Sequence, residues 1–177
     1  MTHPVRRVTA ALVLGVALVT AGCGGTQANR AAVVDGTVIP ETRVQDAMTQ
    51  VNGMKPALLQ QSLTPSSTLT ALIQAPVILD FLATRGIVAS ESAARQEAST
   101  RGVSDPAEGT LEIIRLATAL GQAQQSGALG QAEAVELSDT LRKQHIVVNP
   151  RYGQFDPETA SVSVTLPKWI TPYNAGK

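Results

Sequence analysis

The sequence predicts an α+β fold, mostly helical, in which an N-terminal hairpin and strands near the C-terminus make a small sheet. Three observations lead there. An Asp-Gly pair, Asp35-Gly36, separates two runs rich in β-branched residues. Apolar residues then recur at i, i+3, i+4 and i+7 through the middle of the chain, the spacing of one helical face. Near the end, Val162, Val164 and Leu166 alternate with Ser161, Ser163 and Thr165, the period of a half-buried strand. Strands at both ends of a helical stretch fit helices packed on one small sheet.

The first 22 residues read as an export signal. Arg6 and Arg7 precede Val8 to Thr20, an uncharged run rich in Val, Ala and Leu, and small residues follow. The run is shorter than the roughly 20 residues needed to span a hydrocarbon core. Val19-Thr20-Ala21-Gly22-Cys23-Gly24-Gly25 resembles the lipobox of bacterial lipoproteins. That resemblance implies cleavage between Gly22 and Cys23 and a diacylglyceryl group on the Cys23 thiol. Leucine is the common residue three places before the cysteine in that family; here it is Thr20. Two acyl chains hold a protein to a bilayer lastingly, since each buried methylene contributes about 0.8 kcal/mol and one chain alone binds marginally. The expected location is the outer face of the cytoplasmic membrane, in the cell envelope. Cys23 is the one cysteine of the chain, so no disulfide is expected and packing must supply the stability.

Removing 22 residues from 177 leaves 155, enough for one domain of ordinary size. The cut also removes Arg6 and Arg7, which leaves 12 basic against 14 acidic residues and a net charge near −2. No basic face for nucleic acid is evident. Trp occurs once, Tyr and Phe twice each, so Ala, Leu, Val and Ile must fill the core. Residues 23–30 are a small, polar linker that spaces the folded part from the membrane.

The folded part is expected over 31–166. Ala31 to Val34 and Thr37 to Ile39 flank Asp35-Gly36, a strong signal for a two-residue hairpin turn. Pro40 suits the first turn of a helix, and Val44, Ala47, Met48 and Val51 mark its apolar face until Asn52-Gly53 ends or interrupts it. Residues 53–65 read as either a short helix or a mobile apolar loop, with Met54, Leu58, Leu59 and Leu63 between Pro56 and Pro65. Ser66 or Ser67 can cap the next helix, which runs to Arg85. Its stripe of Leu69, Leu72, Ile73, Val77 and Phe81, widened by Ile78, Leu79 and Leu82, suggests a central buried helix that Pro76 kinks or splits. Gly86 ends it, with Ile87 placed to pack back. Ser90-Glu91 opens a polar helix from Ser92 to Arg101, closed by Gly102. Asp105-Pro106-Ala107-Glu108 reads as a helix start with a capping aspartate. Gly121 to Gly130 reads as a break or frayed end. Gln131 to Gln144 is a further helix with Ala134, Leu137, Ser138 and Leu141 on one side. His145 to Val148 is a strand, Asn149 to Gly153 a turn, and 167–177 a tail.

Three segments resemble the chaperone module of SurA- and PrsA-like extracytoplasmic proteins. Ala32-Val33-Val34-Asp35-Gly36-Thr37-Val38-Ile39-Pro40-Glu41 is similar to that module's opening hairpin. Leu79 to Ser92, with Arg85-Gly86-Ile87-Val88-Ala89-Ser90-Glu91, looks like its central helix and the following link. Ile146-Val147-Val148-Asn149-Pro150-Arg151-Tyr152-Gly153 looks like the tail of actinobacterial lipoproteins that carry the module. The likeness covers roughly residues 31–165. Fuller relatives insert a parvulin prolyl-isomerase domain between helices, whereas here residues 102–105 alone separate two helices. The resemblance therefore implies a chaperone-type module without the enzyme.

The residues themselves offer little chemistry. One histidine, His145, follows Cys23, so neither a zinc site of usual type nor any Ser–His–acid set without His145 can be built. His145 is placed to cap helix carbonyls. Glu133 and Glu136 read as a solvated face. Gly121, Gly127 and Gly130 lack the lysine that completes a phosphate loop. No metal, cofactor, nucleic acid or catalytic residue is expected. The binding candidate is the adaptable Met/Leu group Met48, Met54, Leu58, Leu59 and Leu63, read as either ordinary core or a groove for extended client segments. The expected partners are the membrane, through lipid, and unfolded or extended exported polypeptides. The alternative is a dedicated assembly lipoprotein with one specific envelope partner.

Overall fold

The computed structural model of the chain describes residues 29–164. The expectations for the signal segment 1–22, for cleavage and lipidation at Gly22 and Cys23, for most of the linker and for the tail 167–177 lie outside the described residues. The order of elements is β1 (Arg30–Val34), β2 (Thr37–Pro40), α1 (Glu41–Gly53), α2 (Pro65–Ala83), α3 (Glu91–Thr100), α4 (Glu108–Ser126), α5 (Gln131–Arg142), β3 (Ile146–Val148), β4 (Gln154–Asp156) and β5 (Ser161–Ser163). The fold is α+β and mostly helical, as its sequence pattern predicts.

Asp35 and Gly36 both take positive φ, 48° and 84°, so the hairpin turn is of the mirror-image kind that fits the twist of its strands. β1 lies in the middle of a three-stranded antiparallel sheet, β2-β1-β3, with Val33 opposite both Val38 and Val147. The early hairpin and the late strand do pair. The other late strands form a separate two-stranded sheet, β4-β5, and β4 has no counterpart in the sequence reading. Its residues, Gln154-Phe155-Asp156, are too few to show a period. Val162 is buried on α2, but Val164, expected on the same face, is 63% exposed because the pairing stops at Ser163.

Val44, Ala47 and Val51 of α1 are buried, and Gly53 ends the helix as expected. Pro40 closes β2 and stands just before the first turn. The cap of α2 is Thr64, neither Ser66 nor Ser67. Pro65 fixes φ at the first helical position, so the capping residue is the one before it. The Thr64 hydroxyl accepts from the Ser67 N–H at 3.2 Å, and the Ser67 hydroxyl accepts from the Thr64 N–H at 2.8 Å. Pro76 neither splits the helix nor meets the core. The helix runs through it unbroken, and its ring faces solvent. Gly86, at φ 80°, lets the Ile87 N–H reach back to the Leu82 carbonyl at 3.0 Å.

Asp105 does not cap α4. The helix starts later, at Glu108, and Gln50 of α1 takes over the junction. The Gln50 side-chain oxygen accepts from the Ala107 N–H at 2.9 Å and from the buried Thr110 hydroxyl at 2.7 Å; its amide donates to the Asp105 carbonyl at 3.2 Å. Gly109 allows this close approach: a Cβ there would stand 3.0 Å from the Arg43 carbonyl oxygen. The Gln/Gly-rich stretch after Gly121 is not a break, because α4 continues to Ser126 with Ala123 fully buried. Glu133 and Glu136 do more than face water. Glu133 accepts from the Gly130 N–H at 3.1 Å, and Glu136 pairs with Arg85 at 2.8 Å.

Two apolar clusters form the core. The first joins the three-stranded sheet to α1, the first half of α2, α3 and the start of α4 through Ile39, Val44, Leu69, Ile73 and Ile114. The second joins the later halves of α2 and α4 through Ile78, Leu79, Leu82, Leu116 and Ala123. α2 runs through both. It is long and apolar enough to cross a membrane by length and composition, and its apolar residues supply the spine of this core.

Candidate functional site

The Met/Leu group is largely internal. Met54 is 2% exposed and belongs to the first core cluster, which fits the ordinary-core reading of the two for this residue. Leu58, Leu59 and Leu63 are half-buried against the same cluster, and Met48 is half-buried on α1. The segment 54–64 is neither helical nor loose. Asn52 clamps its far end, accepting from the Leu63 N–H at 2.7 Å and donating to the Leu63 carbonyl at 2.9 Å. Arg101 holds its near end, donating to the Pro56 and Ala57 carbonyls at 2.7 and 2.9 Å while its own carbonyl accepts from the Lys55 N–H. A loop with closed ends and its own apolar packing is a structural plug. The two anchoring residues lie outside the segment, so its composition alone could not show them.

A charged cleft of about 210 Å³ opens between α1, α3 and α4, lined by Arg43, Arg95, Arg115, Glu91, Glu108 and Glu112. Its charges are internally matched. Arg43 meets Glu112 at 2.8 Å and Glu108 at 3.2 Å, Arg95 meets Glu91 at 2.7 Å, and Arg115 donates to the Ala89 carbonyl at 2.8 Å. Burial pushes the Glu112 carboxyl above its ordinary range, against the opposing pull of Arg43. No nucleophile stands in this cleft. Among the described residues no cluster of His, Cys, Asp and Glu could hold a metal ion.

His145 sits between α5 and β3 with its backbone locked to the hairpin turn. Its N–H donates to the Asp35 carboxylate at 2.8 Å, and its carbonyl accepts from the Asp35 N–H at 2.9 Å. No helix-capping bond from its ring is seen. Asn149 continues the seam at the other end of β3, its N–H donating to the Ala31 carbonyl at 2.8 Å and its side-chain amide to the Arg30 carbonyl at 2.9 Å. Arg151 pairs with Glu41 at 3.0 Å, and Tyr152 is buried, so this turn pins the terminal segment as the sequence suggested.

The open apolar surface lies on the sheet itself. Val33, Val38 and Val147 stand side by side on its outer face; Val38 is 42% and Val147 54% exposed. Ile39, Ile146 and Val148 face the core on the other side. β3 pairs only with β1 among the described residues. The bonds at His145 and Asn149 set the alternation: odd-numbered residues of this strand bond to β1. The N–H and C=O groups of Ile146 and Val148 therefore point away from β1. They face an open groove of about 560 Å³ lined by Ile146, Val148, Pro150, Gly153, Gln154 and Phe155. Ile146 to Val148 read as a strand from their sequence, but their neighbours are a tertiary matter: β1 pairs with β3 on one side and β4 lies close on the other. Compared with protein-family models, with curated proteins and with solved structures, the chain matches none.

Proposed function

We infer that this chain is a membrane-tethered binder of exported polypeptides, a chaperone-like holdase without prolyl-isomerase activity. The observation that supports it most is the valine row Val38–Val33–Val147, which runs across the sheet to the open groove beside β3. Exposed β-branched side chains in a contiguous row are costly in water and are a surface for apolar partner segments. The lipobox-like segment around Cys23 supplies the tether. It holds the binding surface near the place where exported chains emerge.

The experiment is suppression of aggregation. An unfolded client is diluted from denaturant in the presence of the protein, and light scattering is followed. The wild-type protein should lower the scattering, and a Val38→Ser, Val147→Ser variant should do so much less. Both side chains are on the outer face, so the variant should keep its fold by circular dichroism. No suppression by the wild-type protein at several-fold excess would sink the reading.

A further inference from the structure

We propose that the groove between α3 and α4 binds the free C-terminal carboxylate of a polypeptide, with Arg115 as its receptor. The site uses none of the residues of the valine row and stands independently of the reading above. Its first ground is an imbalance of charge. Among the described residues Arg43, Arg85, Arg95, Arg101, Arg142 and Arg151 each meet a carboxylate, and Arg115 meets none. The charged cleft that Arg115 lines is neutral as a whole, yet its pairing is uneven. Arg43 takes both Glu108 and Glu112, Arg95 takes Glu91, and Arg115 is left with the neutral Ala89 carbonyl. Glu112 is near enough to feel the Arg115 charge, but its hydrogen bond goes to Arg43. A half-buried guanidinium without an anion gives up hydration for little return.

The second ground is preorganisation. Arg115 Nε donates to the Ala89 carbonyl at 2.8 Å, which fixes the plane of the guanidinium. Its two Nη groups have no hydrogen-bond partner among the described residues. Two parallel N–H donors on a fixed plane match the two oxygens of a carboxylate. The third ground is the neighbouring space. Arg115 also lines a second hollow of about 190 Å³, between α3, α4 and the link that precedes α3. Thr118 and Gln122 follow it at i+3 and i+7, on the same face of α4, and bring a hydroxyl and a carboxamide to this hollow. Val88, Ala89 and Ala93 form its apolar wall. Glu97 lines it too, but its charge is taken up by Arg101. These features select the ligand. One guanidinium balances one negative charge, which suits a carboxylate better than a dianionic phosphate. The hollow has the size of an aliphatic side chain rather than of a longer segment. Thr118 and Gln122 offer partners to a peptide amide. The last residue of a polypeptide carries the carboxylate, the side chain and the amide together; an internal Asp or Glu has no apolar side chain beside its carboxylate.

The test uses the full-length protein and a peptide labelled with fluorescein at its N-terminus, Ser-Gly-Ser-Thr-Ala-Leu, made once with a free C-terminal carboxylate and once as the amide. Binding is read by anisotropy. The free acid should bind at least about tenfold more tightly than the amide, because the amide cannot accept from both Nη groups and carries no charge. Arg115→Gln should remove that difference by weakening the acid to the level of the amide. Arg115→Lys keeps the charge but loses the fork, and should restore only part of the preference. Thr118→Val leaves the Arg115–Ala89 bond untouched and should weaken the acid about fivefold. If the Arg115 variants fail to fold, the acid–amide comparison on the wild-type protein and the Thr118→Val variant still decide. Equal binding of acid and amide, undiminished binding of the acid by Arg115→Gln, or no binding of the acid to the wild-type protein would each overturn the site. Displacement of the peptide by N-acetyl-leucine at equal affinity would overturn the polypeptide as its ligand in favour of a small carboxylate.

Discussion

Glu112 carries opposed influences that a titration can separate. Its carboxylate is 2.8 Å from the Arg43 guanidinium, with Glu108 and Arg115 close by, and its side chain is 13% exposed. Burial penalises the charged form more than Arg43 favours it, so the folded-state pKa lies above the ordinary value of 4.5. The linkage follows directly. Between 4.5 and the higher folded value, the folded state binds more protons than the unfolded one, and stability from this group falls as pH rises. Glu112→Gln keeps an acceptor for Arg43 but removes the titration. The stability of the wild type minus that of the variant, from urea unfolding, should shrink as pH is raised from below 4.5 to neutral. A difference that grows with pH would mean that the ion pair outweighs burial. The sequence offered no hint of this pair, because Arg43 and Glu112 meet only when α1 packs on α4.

Elements whose signals are local were legible; those whose signals are tertiary were not. The hairpin at Asp35-Gly36, the glycine stop at Gly86 and the apolar faces of α1 and α2 all rest on neighbours within a few residues, and each appears where its pattern put it. α4 starts later than Asp105-Pro106 predicts because Gln50, far away in sequence, holds the Ala107 N–H and the Thr110 hydroxyl at the junction, and the run from Gly121 to Ser126 stays helical because Ala119 and Ala123 are buried on α2. Among the candidate site residues Met54 is internal, and the exposed row of Val38 and Val147 is not legible in the sequence, since it depends on which strands pair. Pro76 gives an element-scale prediction. A proline inside a helix lacks the N–H that would bond to the Leu72 carbonyl, and this one is exposed, so no core contact requires it. Pro76→Ala restores that bond and a good helix former. The gain, net of the looser unfolded chain, should be about 1–2 kcal/mol. A raised urea midpoint with unchanged slope would show it; a lowered midpoint would mean that the backbone geometry Pro76 imposes is needed to seat α2 in both clusters.

At the scale of the whole molecule, stability is unevenly distributed. α2 threads both apolar clusters and α4 follows it, so these two helices and the first cluster should open together. α5 is different. Leu141 is its one buried residue, Val135 is 57% exposed, and it packs chiefly on α2. Beyond that, the Arg85–Glu136 pair ties it down, with Glu136 63% exposed, which makes for a weak tie. A helix with so little buried apolar surface opens at lower free energy than the core it covers. Native-state hydrogen exchange should therefore show α5 amides exchanging about a hundredfold faster than those of α2, through a local opening that urea scarcely accelerates. Because α5 leads directly into β3 through His145, its opening should also loosen Ile146–Val148, and amides there should share part of the faster exchange. The seam from Asp35 to His145 opposes that spread. If β3 amides are as protected as those of β1 while α5 exchanges freely, the seam isolates the edge strand and keeps the groove preformed. If α5 is as protected as α2, the two-tier picture fails and the chain unfolds as one unit.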